Sequence, residues 1–264
     1  HGQTLSVRPD ESDRDRQVDM NREDTVRTTK RVLDLIERNT LDCAPAARRL
    51  PSNMFIENER HLQDKAFIAR SPHAIAYAGE IKRGHYLTRS VASVPVLLVR
   101  DKDGLLRAFL NACAHRGACV AQGEGKAQRF KCSYHAWCYD QQGRLIARPG
   151  AEHFDGIDEA GLGLKPLPVV EERGLVIVGL QDGVEVSGHL DSVAHALEYP
   201  YQEYEHLKTW EFTVEANWKL VVDVNFEGYH FPFLHKNSLH PIALGNASCD
   251  LFDRHGRWAF PLRS

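Results

Sequence analysis

"CAHRGACV" (Cys113–Val120) and "CSYHAWCYD" (Cys132–Asp140) decide how this chain reads. Each opens on a cysteine with a histidine two or three positions on, and sixteen residues separate His115 from Cys132. A lone Cys or His is most often a packed core residue, and one Cys-x-His arises readily by chance. Two matched halves, each placed to sit on a loop between strands, point to four side chains meeting on one object. Four tetrahedral zinc ligands are one reading. Structural zinc sites, however, usually leave two or more residues between paired ligands so that each knuckle wraps the ion. The Cys113-x-His115 step is tighter, and suits a binuclear cluster better, with each loop giving one ligand to each iron.

The surroundings support loops. "YLTRSV", "VPVLLVR" and "LLRAFLNAC" read as strands, the last two joined by "DKDG" at Asp101. "RFKCSYHAWCYD" and "RLIARP" read as a further hairpin across "QQG" at Gln141. From Gly84 to about Arg148 this makes a small, turn-rich β module whose loops carry the candidate ligands. Beyond Pro168 the pattern is mixed. A strand "GLVIVGL", a helix over Leu190–Leu197, a strand "TWEFTVE" from Thr209, a helix from Asn217 and a hairpin "CDLFDRHGRWAFPL" turning at Gly256 predict an α+β half. Ahead of the β module, residues 1–20 are charged and poor in large apolar residues, and read as a mobile arm or a remnant of cloning. A helix follows over Asn21–Arg38 with Asn21 as its cap, and a short one over Glu57–Phe67.

The chain has 264 residues with a formal net charge of −3, which fits one large or two modest domains and no nucleic-acid partner. The longest apolar runs, "VPVLLV" and "GLVIVGL", are too short to span a bilayer, and no secretory segment opens the chain. The six cysteines (Cys43, Cys113, Cys119, Cys132, Cys138, Cys249) need no pairing in a chain this long. They are expected free, in a reducing cytoplasm.

A second pattern lies in "NWKLVVDVNFEGYHFPFLH", Asn217–His235. Asn217 can cap a helix, and Glu227 and His230, three apart, share a helical face. Pro232 breaks the helix, which can swing His235 back beside His230. Two imidazoles facing one point with a carboxylate a turn away make a reasonable iron(II) site. Unrelated surface or core histidines are the alternative.

The first two segments resemble the Rieske pattern, including Arg116-Gly117 after the first histidine and Trp137 after the second. Asn217-Trp218-Lys219, then Glu227, His230 and His235, resemble the catalytic helix of Rieske non-haem iron aromatic-ring-hydroxylating oxygenase large (alpha) subunits. The resemblance implies an α+β fold: an all-β Rieske [2Fe-2S] domain plus a mixed antiparallel-sheet and helix catalytic domain, helix-grip-like and C-terminally truncated. The division would be 1–20 as the arm, 21–50 as a helix packing on the catalytic domain, 51–165 as the Rieske domain, and 166–264 as the first part of the catalytic domain. Cys113 and Cys132 would hold one iron and His115 and His135 the other, and the neutral imidazoles would make the cluster easier to reduce. His230 and His235 would bind a mononuclear Fe(II). Glu227 would accept a hydrogen bond from an iron ligand and meet a cluster histidine of a neighbouring subunit in a homotrimer.

Electrons would come from NAD(P)H through a separate reductase or ferredoxin, and O2 would meet a small apolar or aromatic substrate near Phe226, Phe231, Phe233 and Leu234. Plain core packing is the other reading of those four. Dihydroxylation, monohydroxylation and oxidative demethylation share the same metal residues. Two departures stand out. Val224 falls where the family often has Asn, with Asn225 one place later, and no acid after His235 matches the family's carboxylate ligand by position. Asp250 and Asp253 are expected in a strand-and-turn region. Cys119 and Cys138 are expected to be buried apolar thiols, and Tyr134 replaces the second cysteine of the bridge seen in respiratory Rieske proteins. Two competing readings remain: a Rieske ferredoxin-like electron carrier and a zinc-stabilised interaction module.

Overall fold

The computed structural model describes residues 11–154, 156–197 and 206–263. It holds two compact units. One runs from Asn58 to His189, and the other joins the segment up to Glu57 with those from Leu190 and from Phe212. The helices are α1 (Glu11–Glu37), α2 (Asn53–Ile56), α3 (Asn58–Arg70) and α4 (Trp218–Asn225). The first unit's strands are β1 (Pro72–Tyr77), β2 (His85–Val91), β3 (Val94–Arg100), β4 (Leu106–Leu110), β5 (Glu124–Lys126) and β6 (Arg129–Lys131). They continue with β7 (Cys138–Asp140), β8 (Leu145–Ala147), β9 (Pro166–Leu167), β10 (Val169–Glu172) and β11 (Leu175–Gly179). All pairings are antiparallel, in sheets ordered β5-β2-β3-β4-β9, β1-β11-β10 and β6-β7-β8.

Strand β3 explains the unit. Val96, Leu97, Leu98 and Val99 are all fully buried. Because side chains alternate along a strand, Val96 and Leu98 enter one apolar cluster with Leu87, Ala108, Val176 and Val178. Leu97 and Val99 enter a second with Phe109, Phe130, Trp137 and Tyr139. A strand covered on both faces reads as an unbroken apolar run, hence "VPVLLVR". The second cluster also contains Cys113 and Cys132. The candidate metal loops therefore grow directly out of the core.

Turn chemistry sets the ends of the strands. The β2–β3 connection is two residues, Ala92 and Ser93, with φ of 49° and 67°, which is the left-handed pair a tight hairpin requires. The expected "DKDG" turn forms between β3 and β4: Asp101 Oδ1 accepts from the Asp103 and Leu105 amides at 3.0 and 2.9 Å, and Gly104 takes φ of 90°. The β7–β8 turn repeats it, with Asp140 accepting from the Gln142 and Arg144 amides at 2.9 Å each and Gly143 at φ 79°.

The second unit departs from expectation in several places. Helix α1 starts at Glu11, ten residues ahead of the expected cap at Asn21. The charged stretch it absorbs holds no Pro or Gly after Glu11, and its Arg, Gln and Glu are good helix formers. Residues 1–10 of the expected arm lie outside the described residues. Leu190–Leu197 forms a 3-10 helix over Asp191–Ala196 in place of an α-helix. "TWEFTVE" pairs with no strand among the described residues. Its alternate residues Trp210, Phe212 and Val214 are 61%, 83% and 62% exposed, so the period is present but nothing meets it. The final hairpin, β12 (Ser248–Phe252) with β13 (His255–Ala259), turns at Asp253-Arg254. Asp253 takes the left-handed conformation at φ 55°, and Gly256 sits inside β13 opposite Leu251.

A buried ion network ties α1 to this hairpin. Asp24 is 6% exposed and pairs with Arg257 and Arg27. Arg257 also donates to Asp250 at 2.7 Å and Thr28 at 2.8 Å. Arg31 bridges Asp42 and Asp250 at 2.6 Å each. Burial pushes the Asp24 carboxyl up, but the Arg257 hydrogen bond and the charges of Arg257, Arg27 and His195 pull it below the usual carboxylate value.

Candidate metal centres

The two cysteine-histidine segments fold into matching knuckles. In the first, the Cys113 amide donates to Ala118 O and the Gly117 amide to Cys113 O, both at 2.8 Å. In the second, the Cys132 amide donates to Trp137 O at 2.8 Å and the Ala136 amide to Cys132 O at 3.0 Å. Each knuckle closes through a left-handed residue, Gly117 at φ 74° and Ala136 at φ 58°. Buried Asn111 anchors the first loop: its Oδ1 accepts from the Val120 and Ala121 amides at 3.0 and 3.2 Å.

The knuckles bring all four expected side chains together. Cys113 and Cys132 are buried, 4% and 2% exposed. The His115 and His135 rings lie 4.5 Å apart between centroids. His115 stacks on Trp137 at 5.0 Å and 8°, while His135 is exposed beneath the ring of Tyr134. Burial, then the charges of His135 and Arg116, hold His115 below the usual imidazole range. Its Nδ1 is buried with no hydrogen-bond partner.

For Cys132, burial pushes the thiol up. The amides of Tyr134 and His135 and the Cys113 thiol outweigh it and hold the group below the usual thiol value. Among the described residues no three His, Cys, Asp or Glu side chains could hold one ion. An orphaned imidazole nitrogen and amide-supported sulfur suit a cluster. The donor set fits.

Tyr139 escaped the sequence reading. Fully buried, it lies 3.1 Å from Cys113 Sγ and accepts from the Ala114 amide at 3.1 Å. Burial and the Cys113 sulfur push its phenol well above the ordinary range, so it stays protonated. Alternation in β7 is the signal that would have found it: inward Tyr139 stands between two less buried neighbours. Cys119 corrects an expectation, since it is exposed, and Cys138 is half-buried; both thiols are free. Cys119 follows the first knuckle on an irregular loop, where no sheet face covers it.

The second pattern folds differently from the helix expected. Asn217 caps α4, its Oδ1 accepting from the Lys219 amide at 3.0 Å, but α4 ends at Asn225. Glu227, His230 and His235 lie past it, in successive turns closed by bonds such as Leu234 N to His230 O at 2.8 Å. Those turns still bring the His230 and His235 rings to 5.1 Å. Glu227 Oε1 contacts His230 Nδ1 closely, and its Oε2 accepts from the Tyr229 amide at 2.5 Å. His235 Nδ1 lies 3.3 Å from Ser238 Oγ. With both Nδ1 atoms engaged, the Nε2 atoms remain for a metal.

Two imidazoles thus fit an iron; no third ligand joins them among the described residues. Asp250 belongs to the ion network and Asp253 to the hairpin turn. His240, five residues beyond His235, has a buried Nδ1 without a partner. Of the apolar residues expected over the site, Phe231 is core, packed against Trp258 and Phe260 at 6.0 and 6.1 Å. Phe226, Phe233 and Leu234 are exposed.

Residues 71–168 match the family model of the Rieske [2Fe-2S] domain, and residues 201–262 match that of the ring hydroxylating alpha subunit catalytic domain. The chain thus carries a Rieske domain followed by ring-hydroxylating alpha-subunit catalytic sequence, and the relatives it matches are Rieske oxygenase subunits. It is 32% identical over 185 residues to the carnitine monooxygenase oxygenase subunit of Acinetobacter pittii (strain PHEA-2), covering 68% of this chain and 49% of that protein. It is 35% identical over 162 residues to the chloroplastic choline monooxygenase of Spinacia oleracea, covering 57% and 36%.

Among solved structures, a quaternary ammonium Rieske monooxygenase in complex with L-carnitine shares the fold at TM-score 0.72 and 24% identity, over 80% of this chain and 66% of that one. Naphthalene 1,2-dioxygenase from Rhodococcus sp. bound to indole aligns at TM-score 0.63 and 25% identity, over 74% and 48%. The chain spans about half the length of the first of these curated relatives. An aromatic substrate is too narrow an expectation, because relatives named for carnitine, choline and glycine betaine stand beside naphthalene dioxygenase. No helix among the described residues is long and apolar enough to cross a membrane.

Proposed function

We propose that this chain is part of the oxygenase component of a Rieske-type monooxygenase. In this reading Cys113, His115, Cys132 and His135 hold a [2Fe-2S] cluster, and His230 and His235 give two ligands to a mononuclear Fe(II). The observation that carries it is the convergence of two thiols and two imidazoles on paired knuckles, followed along the chain by the Glu227–His230–His235 group. When bound, the cluster carries single electrons and the iron supplies the oxygen chemistry that side chains lack.

The chain's own residues do the positioning. Exposed His135 offers the entry point for an electron from a ferredoxin or a reductase that draws on NAD(P)H. Glu227 fixes the ring of His230 through Nδ1 and keeps Nε2 turned to the metal. The Glu227 side chain is 42% exposed, which leaves room for contact with a cluster histidine of a neighbouring subunit in a homotrimer. The substrate proposed is a quaternary ammonium compound, oxidised at an N-methyl group and so demethylated. The names of the relatives support that choice over an aromatic ring.

Iron and acid-labile sulfide in anaerobically purified protein test the reading: about three irons per two sulfides are expected. The competing reading, an electron carrier, predicts a ratio of two to two. Reductase-dependent O2 uptake with carnitine, choline, glycine betaine and naphthalene then tests the substrate class. Uptake with naphthalene alone would refute the quaternary ammonium proposal.

A further inference from the structure

The first unit has a second concave feature, away from the metal loops. The β3–β4 turn, the β7–β8 turn and the Arg83-Gly84 approach to β2 surround a cavity of about 480 Å³, a volume suited to a small molecule. Strand β4 leads from the first of these turns toward Cys113, and β7 leads from Trp137 to the second. The intervening strands therefore hold the cavity at the end opposite the knuckles.

Arg83, Lys102 and Lys126 line it. None of the three makes an ion pair or hydrogen bond through its side chain among the described residues. The one acid in the lining, Asp140, is already taken by Arg144 at 2.7 Å. Asp103 shares a turn with Lys102 but does not line the cavity. On a chain of formal charge −3, three unopposed cations in one cavity run against the overall balance. Their mutual repulsion falls when an anion enters.

The site is also built to hold them. The Arg83 side chain lies over Gly104, where an added Cβ would come within 3.1 Å of Nε, and Lys126 Cε lies 3.9 Å from the Cβ position of Gly84. Buried Gln141 joins the walls: its Nε2 donates to Ala127 O at 2.8 Å, and its Oε1 accepts from the Lys102 amide at 3.4 Å.

We propose that this cavity binds a small multivalent oxyanion, a phosphate-bearing or polycarboxylate molecule, through Arg83, Lys102 and Lys126. The planar guanidinium of Arg83 can grip two oxygens at once, and the lysines act as point charges beside it. The inference stands apart from the metal chemistry proposed above.

Isothermal titration of the cluster-loaded chain with pyrophosphate and with citrate tests it, against chloride at matched ionic strength. Saturable binding of one or both is expected, and which of the two binds identifies the source of the charge. Lys102→Gln with Lys126→Gln should weaken binding about a hundredfold, roughly tenfold for each lost charged contact. Lys65→Gln on α3, the loss of one lysine charge elsewhere, should leave it unaltered. An unchanged visible spectrum certifies that the variants fold. Heat that chloride reproduces, or that survives the double substitution, overturns the proposal.

Discussion

The two histidine pairs stand at similar separations, 4.5 Å for His115 and His135 and 5.1 Å for His230 and His235, yet different forces hold them. The first pair rides on knuckles rooted in a closed apolar cluster, with both cysteines buried in it. The second sits on turns beyond a helix that buries none of its residues, and His230 is fixed by one neighbouring carboxylate. A centre set in a core is positioned by the whole fold. One set on turns is positioned by a few local bonds, and its geometry is correspondingly easier to change.

The largest test of that contrast is chemical. Cys132→Ser should abolish visible absorbance and labile sulfide, because it removes one of the two buried thiols proposed to hold the cluster. His230→Ala should leave sulfide intact and lower iron by about one atom per chain. Loss of sulfide in both variants would mean that the centres are not independent.

Next in size is the ion network that braces the second unit. Asp24→Ala should cost about 2 kcal/mol, since it removes one of the two carboxylates paired with the Arg257 guanidinium and leaves Asp250 and Thr28 to hold it, and urea unfolding measures it. Acid should act on the same group. The folded value of Asp24 is depressed, so its contribution is present above the unfolded value and disappears as pH falls through the folded one. Asp24→Asn should flatten that acid slope in thermal melts; an unaltered slope would assign the acid sensitivity elsewhere.

Tyr139→Phe removes the hydroxyl beside Cys113 Sγ and leaves the Ala114 amide without its acceptor. A hydrogen bond to sulfur favours the reduced, more negative cluster, so the potential should drop by about 60 mV, the one-electron equivalent of about 1.4 kcal/mol. Redox titration by circular dichroism reads it directly.

The smallest effects compare the knuckles themselves. Gly117 takes its left-handed conformation freely, whereas Ala136 does so at a cost of roughly 1 kcal/mol. Ala136→Gly should therefore stabilise the unit by about that much, and Gly117→Ala, where an added Cβ meets nothing within 4 Å, should destabilise it equally. Opposite signs are expected in thermal melts. The same sign for both would show that the knuckles are not equivalent.

Much of this was legible because local chemistry agrees with the fold. The unbroken apolar run of β3 announced a strand covered on both sides, the Asp-x-x-Gly turns carry their own hydrogen bonds, and Asn217 caps α4 as its position predicts. Residues whose state depends on distant partners were not legible. "TWEFTVE" has a strand's period and no strand beside it among the described residues, and Cys119 is an exposed thiol.

By itself the sequence determined which residues could be ligands and which lie on one loop, because spacing along a backbone limits what neighbours can jointly reach. Tertiary structure alone decided that Tyr139 meets Cys113 across 26 positions, that α4 stops short of Glu227, and that Arg83, Lys102 and Lys126, from three separate segments, line one cavity. Those outcomes depend on packing between segments remote in the chain, and no local pattern encodes the distance between them.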